Sequence, residues 1–225
     1  MAKNAEELWK QVDQYINDRL IPADPVLEES QAANAAAELP AIDVAPNQGK
    51  LLHLLARIAG ARKILEIGTL GGYSTTWLAR ALPEDGRLTT LEFDPKHAEV
   101  ARKNITQAGL DKLVTVRVGA ALDTLPVLVQ EGEGPFDLIF IDADKKNLAN
   151  YLTWSLKLSR KGTLILVDNV IRDGEVIDAS SKDPNVQGAR QLFDALRTEP
   201  RLQATALQTV GSKGHDGFAM AVVVE

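Results

Sequence analysis

Lys63-Ile64-Leu65-Glu66-Ile67-Gly68-Thr69-Leu70-Gly71-Gly72-Tyr73-Ser74 decides the fold. A short, largely apolar run ends in a Gly-rich turn, and the turn leads into residues that open a helix. That is the start of a βα unit. The same alternation recurs downstream. Strands are expected at Lys63–Ile67, Leu88–Phe93, Val114–Val118, Phe136–Ile141 and Thr163–Val167. Helices are expected near Ser74–Leu82, Pro95–Gly109, Leu122–Gln130 and Asn147–Leu158. These strands are apolar on both faces, as in a parallel sheet covered by helices. Five of them in βαβ order predict an open, doubly wound α/β sheet with right-handed crossovers.

Upstream of this core the spacing is helical. Leu8, Val12, Tyr15, Ile16 and Leu20 mark a first helix, broken by Pro22 and Pro25. A second helix is expected from Pro25 to about Glu38, and a third from near Pro46 to Gly60. Downstream, a helix near Val186–Arg197 precedes two strands, Leu202–Val210 and Phe218–Val224. The loop Gly211–Gly217 joins them as an antiparallel pair. The chain is read as a single domain, residues 1–225, with a helical segment (1–60) packed on the sheet core (61–225).

Composition narrows the function. The 225 residues include 31 acidic against 25 basic side chains, a net charge of -6. That balance argues against a general nucleic-acid binder. With no Cys, a disulfide scaffold, a thiolate zinc site and a cysteine nucleophile are excluded. Hydrophobic residues make up 45%, enough for a full core. The longest apolar run, Phe218–Val224, is far short of the ~20 residues of a spanning helix. The N-terminus lacks the basic-then-apolar layout of a secretory signal. A soluble, cytoplasmic protein is expected, with no membrane partner.

In open α/β sheets, ligands bind beyond the carboxyl ends of the strands. After the first strand, the Gly68–Ser74 turn lets backbone approach a ligand and offers the N–H groups of a helix start. It is not the dinucleotide fingerprint, because Leu70 stands where the second Gly belongs. Glu92 ends the second strand, where a carboxylate can accept from a ribose diol. Asp94 is placed to N-cap the helix opening at Pro95. The fourth strand leads into Asp142-Ala143-Asp144-Lys145, and the fifth into Asp168-Asn169. One at a time these fit a helix cap at Asp144 and a turn at Asp168. Together, three carboxylates and an amide at neighbouring strand ends need a compensating charge. Oxygen donors favour Mg²⁺, Mn²⁺ or Ca²⁺ over zinc. Lys145 beside such a cation is placed to accept a proton from a hydroxyl.

These motifs, in this order and spacing, resemble the cation-dependent class I S-adenosylmethionine O-methyltransferases of the caffeoyl-CoA and catechol type. The resemblance covers essentially the whole chain. It implies a Rossmann-like, seven-stranded sheet of order 3-2-1-4-5-7-6 with its last strand antiparallel, and a homodimer. It also implies S-adenosylmethionine held by Val44, Glu66, Gly68, Thr69, Ser74, Glu92, Ala121 and Asp144. Glu92 would take the ribose hydroxyls, and Ala121 would lie near the adenine. The implied metal ligands are Asp142, Asp168 and Asn169, and the implied general base is Lys145. The acceptor implied is one hydroxyl of a vicinal diol on a catechol-like phenol of caffeate, caffeoyl-CoA or flavonoid type. Two segments depart from the plant caffeoyl-CoA pattern: Val170-Ile171-Arg172-Asp173-Gly174, and the loop Gly211–Gly217, which reads as longer than the family's Gly-Asp-Gly turn. Both would line the acceptor pocket, and they weigh against a coenzyme A thioester. Three other functions stay open on sequence: methylation of a hydroxylated transfer RNA base, which the acidic balance disfavours, nicotinamide-dependent oxidoreduction, which the missing Gly and the acidic cluster disfavour, and a non-catalytic module that binds a nucleoside or metal, which the intact Lys145 and implied metal ligands disfavour.

Overall fold

The structure, a computed structural model, describes residues 4–225. Three helices come first: α1 (Ala5–Leu20), α2 (Pro25–Ala36) and α3 (Pro46–Ile58). The alternating core follows as β1 (Lys63–Ile67), α4 (Tyr73–Ala79), β2 (Arg87–Glu92), α5 (Pro95–Gln107), β3 (Val114–Val118), α6 (Ala121–Gln130), β4 (Phe136–Ile141), α7 (Leu148–Lys157) and β5 (Ser159–Asp168). The chain closes with α8 (Pro184–Thr198), β6 (Leu202–Gly211) and β7 (Gly214–Val223). Proline opens α2, α3, α5 and α8, where its missing N–H costs no intrahelical bond. Asp24, Asp94 and Asp183 accept backbone N–H bonds as the N-caps of α2, α5 and α8. None of the helices among the described residues is long and apolar enough to cross a membrane.

The seven strands form one sheet of order β3-β2-β1-β4-β5-β7-β6. Strands β1 to β5 run parallel, and β7 is antiparallel to both β5 and β6. Successive side chains point to opposite faces, which divides the core in two. Leu65, Ile67, Ile139, Ile141, Ile165 and Val167 pack with side chains of α6, α7 and α8. Ile64, Leu138, Phe140, Leu164 and Leu166 pack on the other face with α2, α3, α4 and α5. The doubly wound architecture expected from the sequence, with its seven-stranded order, is the one observed.

Several boundaries differ from expectation. The sixth and seventh strands are joined by the two residues Ser212 and Lys213, not by a loop spanning Gly211–Gly217. Residues 214–217 are mostly polar or glycine, so no apolar alternation marks them as strand; backbone pairing to β6 makes them one. β5 begins at Ser159 rather than Thr163, reached through an irregularity in its pairing with β4. α2 ends at Ala36, because Glu38 turns left-handed at φ 57.

The N-terminal helices are tied to the core by buried polar groups. Asp13 of α1, 7% exposed, accepts from Asn47 Nδ2 (2.9 Å) and from the Ser212 N–H (2.7 Å). On α5, buried Asn104 donates through Nδ2 to Asn34 Oδ1 of α2 (3.0 Å) and to the Gly71 carbonyl (2.8 Å). Asn34 in turn donates to Asp43 (3.2 Å). Asn104 is thus the donor that locks α2 onto the Gly-rich turn. Asn104→Ala leaves two buried acceptors without it, at about 1–3 kcal/mol each. The variant should lose about 2–4 kcal/mol of stability in urea unfolding; an unchanged unfolding free energy would show that the network carries no weight.

Candidate active site

The carboxyl ends of β1, β2, β3, β4 and β5 open on a cavity of about 710 Å³. Gly68, Thr69, Leu70 and Ser74 form one wall, and Glu92 and Ala121 the next. Asp142, Asp144, Lys145 and Asn169 form the far side, and Val44 reaches in from the segment before α3. The structure therefore brings ten of the twelve residues proposed from sequence to one cavity surface. Glu66 and Asp168 lie behind that surface and act on it through neighbours.

The loop after β1 is built on unusual backbone. Gly68, Leu70 and Gly72 all have positive φ, at 103°, 50° and 85°. For Leu70 this is a disfavoured conformation. Glu92 holds it there: Oε2 accepts the Thr69 N–H (3.1 Å) and the Leu70 N–H (2.7 Å), while Oε1 accepts the Asp94 N–H (2.9 Å). A carboxylate has about four acceptor positions, so Glu92 keeps capacity for a ligand while bracing the turn. Gly68 is needed for a second reason. A Cβ there would collide with the Asp142 carbonyl, so only glycine lets the tips of β1 and β4 meet.

Glu66 is fully buried beneath the loop. Its oxygens accept from Ser74 Oγ (2.7 Å), Thr75 Oγ1 (2.5 Å) and Thr90 Oγ1 (2.7 Å). Burial pushes its carboxyl up to about 7, against the pull of the three hydroxyls, and the charge of Asp142 adds to the rise. Glu66 therefore orients Ser74, which does reach the cavity.

At the acidic end, Lys145 Nζ donates to Asp142 Oδ1 at 2.5 Å. Lys145 sits on the turn Lys145–Asn147, backed by α8, where a Cβ on Gly188 would strike the Lys145 carbonyl. Asp168 is 5% exposed. Its Oδ1 accepts the Asn169 N–H (2.8 Å), and its Oδ2 accepts from Gln48 Nε2 (2.6 Å). Burial pushes Asp168 up to about 7; Asp142 raises it further, and Lys145 pulls it back. Asn169 is left-handed at φ 56 and lines the cavity.

Among the described residues no three His, Cys, Asp or Glu side chains form a metal cage. The set here is two carboxylates and one amide. That fits a Mg²⁺-like cation, which keeps several waters and takes one or two protein carboxylates. The mutual charge of Asp142 and Asp168, only partly met by Lys145, is what such a cation would neutralise.

Two residues at the site were not expected. Tyr151 lines the cavity and donates its hydroxyl to Asp144, which also accepts from Asn147 Nδ2 (2.6 Å). Burial pushes the Tyr151 hydroxyl well above its ordinary value, and Asp144 reinforces the shift. Its position among the buried residues of α7 reads in sequence only as core. Gln48, 120 residues from Asp168, gives no sequence signal at all.

The folded state holds the Glu66 proton more tightly than the unfolded chain, where the carboxyl titrates near 4.5. Its contribution to stability is thus full below about pH 4.5 and is lost as pH rises through about 7. Between these values the melting temperature of the wild type should fall relative to that of Glu66→Gln. Parallel curves for the two proteins would refute the shift.

The O-methyltransferase family profile matches residues 19–221. A catechol O-methyltransferase of Niastella koreensis is 55% identical over 217 residues, covering 96% of this chain and 98% of its own. An O-methyltransferase from Bacillus cereus, solved in complex with SAH, aligns with TM-score 0.95 at 61% identity, over 96% of this chain and 99% of that one. The O-methyltransferase TomG from Streptomyces achromogenes, involved in tomaymycin synthesis and solved in complex with SAM, aligns with TM-score 0.96 at 47% identity, over 99% and 100% of the two chains.

Proposed function

The chain belongs to the O-methyltransferase family, and from that premise we propose that it methylates one hydroxyl of a vicinal diol on a small catechol-like phenol, using S-adenosylmethionine and a divalent cation such as Mg²⁺. One observation carries this reading. The Gly-rich turn shares one cavity surface with Asp142, Asn169 and Lys145, and buried Asp168 lies behind its acidic end. Family membership removes the nicotinamide alternative.

S-adenosylmethionine supplies an electrophilic methyl group on sulfur. Gly68, Thr69, Ser74, Glu92, Ala121, Asp144 and Val44 would hold it, with Glu66 supporting Ser74 from below. Asp142, Asp168 and Asn169 would hold a divalent cation, whose charge would lower the pKa of a nearby hydroxyl. The acceptor oxygen gains the methyl group and loses its proton, and Lys145 Nζ, made neutral when a bound cation takes over its charge beside Asp142, is the group placed to take that proton. Asp142 fixes the lysine side chain, and the α8 contact fixes its backbone. Tyr151 and Asn147 orient Asp144. The chain thus supplies position and charge, and alignment of acceptor oxygen and methyl group accounts for much of the acceleration. A vicinal diol suits the site because two adjacent oxygens would anchor the acceptor together while one of them reacts. The catechol named for the Niastella relative is the simplest acceptor of that kind.

Purified protein given S-adenosylmethionine, Mg²⁺ and a panel of catechols should form the monomethyl ether, and EDTA should abolish it. Lys145→Ala should lower turnover by about 10²-fold or more. Full activity in EDTA would remove the cation from the reaction, and wild-type turnover in the variant would remove Lys145.

A further inference from the structure

Gln48 lies on α3, outside every strand tip that builds the cavity, and does not line it. Its side chain nevertheless reaches the acidic end. Nε2 donates to Asp168 Oδ2 at 2.6 Å, and Oδ1 of the same carboxylate is taken by the Asn169 N–H. Each Asp168 oxygen therefore has one fixed donor, and together these donors set the rotation of the carboxylate. The donor from α3 is itself held. Asn47 Oδ1 accepts the Gln48 N–H (2.9 Å), and Asn47 Nδ2 donates to Asp13. Asp13, buried on α1, also accepts the Ser212 N–H at the turn between β6 and β7. Next along the chain, Gly49 packs so closely on the Trp77 indole that a Cβ would collide with it. Contacts with α1, with the turn between β6 and β7 and with α4 thus hold the segment from which the Gln48 amide extends.

We propose that Gln48 is a positioning residue for the cation site, orienting the Asp168 carboxylate so that it faces Asp142 and Asn169 across one binding position. The inference rests on the cation reading of the preceding section. The amide is neutral, so it orients the carboxylate without competing for the cation as a charged donor would. Groups that orient a metal ligand in this way typically change metal affinity by about 10- to 100-fold when removed. They leave a neighbouring organic subsite alone when they do not touch it.

The test is titration of Mn²⁺ alone into wild type, Gln48→Met and Gln48→Ala by calorimetry, with S-adenosylhomocysteine binding and melting temperature measured on the same samples. Methionine keeps the length of the side chain and removes the donor. Wild type should bind one Mn²⁺. Both variants should bind it about 10- to 100-fold more weakly, with S-adenosylhomocysteine affinity within about twofold of wild type. Equal Mn²⁺ affinity in either variant overturns the role of Gln48 and leaves the cation site standing. Loss of both ligands together in both variants overturns it as well, because the residue is then only structural. A wild type that binds no Mn²⁺ overturns the cation reading itself.

Discussion

Everything at this site depends on the absence of a side chain at Gly68. Because no Cβ intervenes between it and the Asp142 carbonyl, the turn after β1 and the tip of β4 lie against each other. That contact places the turn suited to a nucleoside-type ligand beside the acidic cluster suited to a cation. A side chain there would push the two apart and divide the cavity.

Two buried carboxylates keep the turn in its shape, one from each side. Glu92 holds two successive N–H groups and so stabilises the left-handed Leu70. Glu66 collects three hydroxyls beneath and orients Ser74. The acidic end is arranged differently. There, among the described residues, Asp142 and Asp168 share the charge of Lys145, and the burial of Asp168 makes its full ionisation costly. The turn is complete in itself, whereas the acidic end carries negative charge that a further cation would balance. This contrast follows the proposed roles, one part holding a methyl donor and the other ionising an acceptor.

The succession of β1 to β5 was legible because short strand candidates alternate with helical segments between turn residues, and the period-2 division of the core followed from it. The seven-stranded order required the family resemblance, since nothing local says that β7 inserts between β5 and β6. The turn at Ser212–Lys213 was misplaced because Gly214, His215, Asp216 and Gly217 carry no apolar alternation. They are strand through their backbone pairing alone. At the site, residues that follow a strand end could be singled out because that position is readable along the chain, and most of them line one cavity. Gln48 was not, because its partner is remote in sequence and a glutamine on a helix usually faces solvent. Glu66 was read as a ligand contact, whereas its carboxylate is satisfied by protein hydroxyls and lies outside the cavity lining.

The central claim is that the tips of β4 and β5 hold a hard cation where a diol must lose its proton. The most direct measurement is an anomalous difference map from crystals grown with Mn²⁺, S-adenosylhomocysteine and a catechol. One peak should appear within about 2.0–2.4 Å of oxygens from Asp142, Asp168 and Asn169, with both catechol oxygens on it and one of them facing the sulfur. A map with no peak between those side chains, or with the catechol bound away from it, would contradict the account.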